Sequence, residues 1–243
     1  MSSITTVTYF RYQGWSHQLW AMSQMQLAQS SLRQVPGLAF FKLLGTGRRF
    51  HYWPNFSVYG ILGVWETLEA AQAFRQNPVF QRFDNRSEES WTVYLENYQA
   101  HGYWSGKQPF VPTTASPPLQ GVPIAVLTRA TINLVRLGSF WKQALRINQE
   151  FAQHPGCLLA LGIGEWPVVQ QATFSVWKDA QSMKDFAYGS QLHQQAIRGT
   201  HEQHWFKEDL FARFVPIATE GTWHGTDPLF EFEKVEKVIK VKG

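Results

Sequence analysis

The chain has 243 residues, with 22 Lys and Arg against 18 Asp and Glu, and this +4 excess is too scattered to form the basic stripe that nucleic-acid binding needs. Only 16% of residues are charged while 15% are aromatic, and the mean hydropathy is −0.27, which describes a globular chain with much aromatic surface to bury. Cys157 is the one cysteine, so an internal disulfide and a cysteine-rich metal site are both excluded. No apolar run approaches the roughly 20 residues of a membrane span. The opening MSSITTVTYF lacks the basic and apolar regions of a secretion signal, and a cytoplasmic protein, peripheral to a membrane at most, is expected.

In chain order, residues 5–12 (TTVTYFRY) are rich in β-branched and aromatic types and read as a strand. Residues 16–33 read as a helix whose apolar stripe includes Leu19, Met22 and Leu27. Strands are expected at 38–44 and 56–65, then a second helix from about Glu66 and a last strand at 91–97. The stretch from Pro109 to Pro123 contains PTTASPPLQGVP and has the composition of a linker. The series then begins again, with a strand at 123–130, a helix at 139–153, strands at 157–163 and 170–177, a helix from about Asp179 and a strand at 210–216.

The wording repeats as well as the order. Pro36 and Gly37 open PGLAFFKLLGTG, and Pro155 and Gly156 open PGCLLALGIGEW, 119 residues later. YWSGKQPF (103–110) is echoed by TWHGTDPL (222–229) at the same offset. Between them Trp65 of VYGILGVWETLEAAQAF matches Trp177 of QATFSVWKDAQSMKDF at an offset of 112, so two compensating insertions of about seven residues separate the halves. Each half reads β-α-β-β-α-β, the ferredoxin-like order. The expected fold is therefore α+β, with tandem ferredoxin-like repeats packing their sheets face to face into a barrel with helices outside. The boundaries are a first repeat at 1–110, a linker at 111–122, a second repeat at 123–229 and a tail at 230–243.

The extra residues of the second half fall in FAYGSQLHQQAIRGTHEQHWFKEDLFARF (186–214), which holds His193, His201 and His204. His193 stands where the first half has Gln81. A neutral imidazole there would suit a metal, and haem iron in particular needs one strong axial ligand and an apolar slot. Phe186, Ile197, Trp205 and Phe206 would help build that slot, and Arg198, one turn beyond His193, would pair a carboxylate such as a propionate. Against this stand a surface or capping histidine and a surface arginine, and the residues alone leave both readings open. On one straight helix His193 and His204 lie about 16 Å apart along the axis, so the three histidines cannot share an ion. His201 and His204 have HxxH spacing but no third ligand, and read as a solvated face.

Other signals are weak. GTGRRF (45–50) and GIGEWP (162–167) lie between strands and complete no phosphate-binding loop, and no GxSxG elbow is present. Glu165 and Asp185 are candidate acids, yet spacing sets no second carboxylate beside either. Cys157 reads as a small buried residue, and Trp65 and Trp177 as matching core residues. No catalytic residue is assigned.

LTRATINLVRLGSFWK (127–142), GIGEWPVVQQATFSVWKD (162–179), FAYGSQLHQQAIR (186–198), WFKEDLFARF (205–214) and GTWHGTDPL (221–229) together resemble the spheroidene monooxygenase family. LWAMSQMQLAQ (19–29), PGLAFFKLLGTG (36–47) and ESWTVYL (89–95) extend the resemblance into the first half, so that it runs from about residue 7 to 229. It leaves out the tail 230–243 and the stretch RRFHYWP at 48–54.

The resemblance implies an oxygenase containing haem b that forms a keto group on an acyclic carotenoid such as spheroidene. It implies relatedness to dimeric α+β barrel proteins, with the two repeats as a pseudo-dimer. His193 would then be the axial ligand of the iron, with Arg198, Phe186, Ile197 and Trp205 around the cofactor. O₂ and a ferredoxin-like electron donor would be the other partners. Two hydroxylations at one carbon would give a geminal diol that loses water to leave the ketone. An apolar substrate suits transient membrane contact, and a homodimer is compatible though not required. Two other readings remain: a haem-binding barrel with a non-carotenoid substrate or a peroxidase-like role, and a haem-free binding module for a small apolar ligand.

Overall fold

The computed structural model describes residues 3–47, 53–112, 118, 121–142, 144, 154–166, 168–189 and 205–230. Its centre is a closed barrel of eight antiparallel strands in the order β1-β3-β2-β6-β7-β5-β8-β4. The strands are β1 (Ile4–Arg11), β2 (Leu38–Gly47), β3 (Pro54–Trp65), β4 (Glu89–Gly102), β5 (Ile124–Ile132), β6 (Cys157–Trp166), β7 (Gln170–Trp177) and β8 (Phe206–Gly221). All eight strands expected from the sequence are present. The half-sheets do not stack as separate layers. They join edge to edge, through a long β4·β8 seam running from Trp91↔Gly221 to Gly102↔Leu210 and a short β2·β6 seam at Gly45↔Gly164 and Thr46↔Ile163.

Period-two alternation sends one set of side chains into the barrel and the other outward. The inward set includes Val7, Tyr9, Leu62, Trp91, Val93, Leu127, Phe174 and Phe214, all buried, so the interior is packed. Tyr9 lies 6.1 Å from Phe174 and 5.8 Å from Trp223, ring to ring. β4 and β8 outrun their expected lengths of 91–97 and 210–216. The outer end of β4, Tyr98–His101, is partly exposed and lacks β-branched residues, and it is held as strand by backbone pairing across the seam.

Helices cover the outer face of the first half. The single helix expected at 16–33 is two, α1 (Trp15–Leu27) and α2 (Gln29–Leu32), divided at Ala28. The expected apolar stripe is a correction: Leu19, Met22 and Leu27 are 50%, 44% and 65% exposed, and α1 buries Ala21 and Gln24 instead. The sheet below already raises Tyr12, Tyr59 and Leu43 toward the helix, which meets them with Ala21 and the partly buried Trp20 and Met25. Thr67 caps α3 (Leu68–Ala73) by accepting the Ala70 amide at 3.2 Å, which starts that helix later than Glu66. Asn77 caps α4 (Pro78–Asp84), whose first residue is proline.

In the second half, helical residues are described at 137–142 and in α5 (Ala180–Gly189), and the rest of the helix expected at 139–153 lies largely outside the described residues. Trp65 and Trp177 are 0% and 1% exposed, and each indole donates to a nearby hydroxyl, Thr6 at 2.8 Å and Ser175 at 2.9 Å. Cys157 is half-buried rather than fully buried, and burial pushes its thiol up to about 11. Among the described residues no helix is long and apolar enough to cross a membrane.

Candidate functional site

Strand register sets the two half-sheets in correspondence. Ile4 pairs with Trp65 as Ile124 pairs with Trp177, and Leu43 pairs with Ile61 as Gly162 pairs with Thr173. With those anchors the outer faces can be compared position by position. The first half carries Phe10, Phe41, Leu43, Tyr59 and Ile61; the second carries Ala130, Ala160, Gly162, Gln171 and Thr173. Bulk that packs against helices on one side is missing on the other. Thr8 and Thr128 make the contrast within one residue type. Thr8 is 2% exposed and bonded to Thr92 at 2.9 Å, whereas Thr128 is exposed.

Two aromatic groups bound this bare face. At one end Phe186 of α5 is buried with Ile124, Val126 and Met183, its ring 5.3 Å from Trp177 and 6.0 Å from His154. At the other end Trp205 is 5% exposed, packs on Phe140 at 6.0 Å and accepts the Asn133 amide on its carbonyl at 2.7 Å. β5 spans the distance between them, eight residue steps or about 26 Å. Phe186 and Trp205, both expected to line a cofactor slot, are therefore both buried but stand at opposite ends of the face. His193, Ile197 and Arg198 lie outside the described residues, as do His201 and His204.

Sequence reading missed three side chains here. Arg213 replaces Tyr94 at the matching register position. Its guanidinium lies 5.0 Å from the Phe211 ring and donates to Gln99 Oε1 at 3.2 Å, and its buried Nε meets no acceptor among the described residues. Tyr98 beside it has its hydroxyl pushed up by burial, a shift that Arg213 partly offsets. His154 touches both Trp177 and Phe186, and its Nδ1 accepts the Gly156 amide at 3.2 Å, which leaves Nε2 as the nitrogen able to ligate. A broad face of small side chains with aromatic ends and a guanidinium donor suits a flat group that carries acid substituents. Among the described residues no cluster of three His, Cys, Asp or Glu is present.

A polar network closes one end of the barrel. Lys42 Nζ lies 2.5 Å from Glu165 Oε2 and donates to Ser105 at 2.7 Å. Trp104 Nε1 donates to Glu165 Oε1 at 2.6 Å. Arg129, 2% exposed, links Glu165 to Glu208, and Glu208 also accepts the amides of Ser105 and Gly106. The second carboxylate that spacing failed to find near Glu165 is thus Glu208, on another strand. Sequence separation does not signal it; strand register does. Asp185, the other candidate acid, only accepts from Gln181 at 2.7 Å on the exposed side of α5.

No protein-family model matches the chain. Among solved structures, an aldoxime dehydratase in complex with butyraldoxime matches with a TM-score of 0.61 at 10% identity, over 94% of this chain and 85% of its own. A second aldoxime dehydratase matches with a TM-score of 0.59 at 9% identity, over 88% of this chain and 81% of its own. These likenesses concern the α+β barrel fold alone. Sequence similarity is far closer elsewhere. A spheroidene monooxygenase of Cereibacter sphaeroides is 37% identical over 230 residues, 93% of this chain and 70% of the relative. One of Rhodobacter capsulatus is 35% identical over 93% of this chain and 95% of its own length, and one of Rubrivivax gelatinosus is 34% identical over 85% and 80%. Likeness at that level, over 85–93% of this chain, makes it a member of the spheroidene monooxygenase family.

Proposed function

We propose that the protein is a monooxygenase that hydroxylates an acyclic carotenoid and, by a second hydroxylation at the same carbon and loss of water, leaves a ketone. The observation that carries this reading is the 34–37% identity to three spheroidene monooxygenases across both halves of the chain. The smaller side chains on the outer face of β5, β6 and β7, where the described residues pack fewer large groups than on the first half, support it, because a haem and a polyene both need a wide surface to lie on.

Haem b, when bound, would supply the activation of O₂ with electrons from a ferredoxin-like donor. The chain's own residues would hold and orient it. His193 would ligate the iron, Arg198 would pair a propionate, and Arg213 has a donor to offer a second one. Phe186, Ile197 and Trp205 would wall the slot and keep water from the reacting carbon.

The two halves are read as tandem ferredoxin-like repeats forming a pseudo-dimer, with repeats at 1–110 and 123–229. The orders β4-β1-β3-β2 and β8-β5-β7-β6 favour this reading, since each is the ferredoxin-like arrangement. Trp15, Leu19, Met22 and Leu27, exposed on α1, favour transient contact with a membrane that holds the carotenoid.

The test is an absorption spectrum of protein from haem-replete cells, with His193→Ala and His154→Ala beside wild type, followed by turnover with O₂ and reduced ferredoxin. A Soret band lost or shifted in His193→Ala and a keto-carotenoid product are expected. A band that survives that change and shifts in His154→Ala moves the ligand to His154. No band in wild type removes haem from the reading, and no keto product removes the activity.

A further inference from the structure

β2 and β6 pair at only two positions, and a groove runs along this short seam. Its larger part, 820 Å³, lies between α1 and β2, with Met22, Met25, Leu38 and Phe41 on its walls. A second cavity of 210 Å³ shares Met22 and Met25 and continues over Gly45 and Gly164 to Gln171. Gln171 belongs to the bare outer face of the second half. The two cavities therefore lead from α1, across the seam, onto that face.

The glycine at the crossing is not explained by the fold. Gly45 has no positive φ, and a Cβ there would meet nothing nearer than the Gly164 carbonyl at 3.8 Å, an ordinary contact. A strand interior is weakened by glycine, and such a glycine commonly marks the close approach of a ligand. Met22 and Met25 give the opposite wall an adaptable apolar surface. From Leu38 to Gly47 β2 covers nine residue steps, about 30 Å. An extended carotenoid chain is of comparable length.

We propose that the substrate lies across this seam: its far half sits between α1 and β2, and its reacting end passes over Gly45 and Gly164 onto the bare face of the second half. Lys42 and Glu165 line the same groove and neutralise each other at 2.5 Å, and the other two charged groups on its wall, Arg33 and Lys107, are exposed to solvent. The proposal rests on the carotenoid reading above and adds where the molecule lies.

Gly45→Phe would fill the crossing from the strand, and Met25→Trp would narrow it from the helix. The probes are lycopene, an acyclic forty-carbon carotene, and a twenty-carbon acyclic polyene, delivered in detergent micelles. Binding is read by quenching of tryptophan emission, and folding by circular dichroism and the thermal midpoint. In a variant folded as wild type, at least tenfold weaker binding of lycopene is expected, with the short polyene within twofold of wild type. Equal effects on both probes in both folded variants, or no effect on either, would overturn the proposal. Wild-type turnover of the long carotenoid, measured beside these, separates the two failures. Turnover that persists unchanged in Gly45→Phe rejects the path and keeps the monooxygenase, whereas wild type that neither binds nor oxidises the carotenoid rejects both.

Discussion

Glu89 and Glu208 each grip a turn that belongs to the other half of the chain. Glu89 accepts the amides of His224 at 3.0 Å and Gly225 at 2.7 Å and pairs with Arg11 at 3.0 Å. Glu208 accepts those of Ser105 at 3.0 Å and Gly106 at 2.8 Å and pairs with Arg129. The φ angles are +54° and +70° at Ser105 and Gly106, and +59° and +79° at His224 and Gly225. Two successive left-handed residues point two amides the same way, which makes a small anion-binding nest. Because β4 and β8 run antiparallel, the two clasps sit at opposite ends of their seam.

Acid should loosen both clasps. Burial alone would raise each carboxyl, but the turn amides and the paired arginine outweigh it and hold both below the usual glutamate range. A carboxyl lowered on folding contributes stability above its unfolded value, about 4.3, and loses it as pH falls further. Glu89→Gln and Glu208→Gln should each cost about 1–3 kcal/mol at pH 7, and the two costs should add, since the sites are far apart. Urea titrations from pH 7 down to pH 3 check this. Each variant should also lose part of the acid sensitivity of wild type.

Tyr9 presents the opposite case. Its ring is fully buried in the barrel, its hydroxyl has no hydrogen-bond partner among the described residues, and burial holds its pKa well above the ordinary tyrosine value. Tyr9→Phe keeps the ring contacts and removes the stranded oxygen, so it should stabilise the barrel by about 1 kcal/mol, roughly 2–4 °C for a chain of this size. A lower thermal midpoint in the variant would mean that the hydroxyl is satisfied in solution.

Lys42 and Glu165 should behave as a pair. Lys42→Met leaves Glu165 with Trp104 and a distant Arg129 at 4.0 Å and should cost about 1–3 kcal/mol. Changing both residues to Met should cost less than the sum of the single changes, because no charge is stranded. A double-mutant cycle by chemical denaturation measures the coupling.

Refilling the bare face tests its use. Ala160→Phe and Thr173→Ile install the residues that the first half carries at the same register, Phe41 and Ile61. Each should leave stability within about 1 kcal/mol of wild type, as for other substitutions outside a packed core. Carotenoid turnover should fall at least tenfold. Unchanged turnover in both variants would show that substrate and cofactor use a different surface.

The strand framework was legible because alternation and β-branched residues mark each strand locally, and because the halves repeat one another at PGLAFFKLLGTG and PGCLLALGIGEW. Phe186 and Trp205 are buried, but nothing in their spacing tells that β5 holds them at opposite ends of a face. The α1 stripe failed for a physical reason. Leu19, Met22 and Leu27 have helical periodicity, yet which side of a helix is buried depends on the bulk of the sheet beneath it, and here Tyr12 and Tyr59 already fill that space. The Arg129–Glu208 link and the place of Arg213 depend on register between strands remote in sequence. Arg213 could have been flagged by aligning the halves, since it falls opposite Tyr94.

Two seams and two reciprocal clasps tie the halves together independently of the peptide that joins them. Each clasp takes its carboxylate from one half and its turn from the other, so neither half retains a complete set alone. Cleavage within 111–122 should therefore yield two fragments that stay together as a single particle through gel filtration, and the fragments expressed side by side should reassemble. In mechanical terms the connecting peptide is a tether that raises local concentration, while the grip between the halves resides in the barrel wall itself.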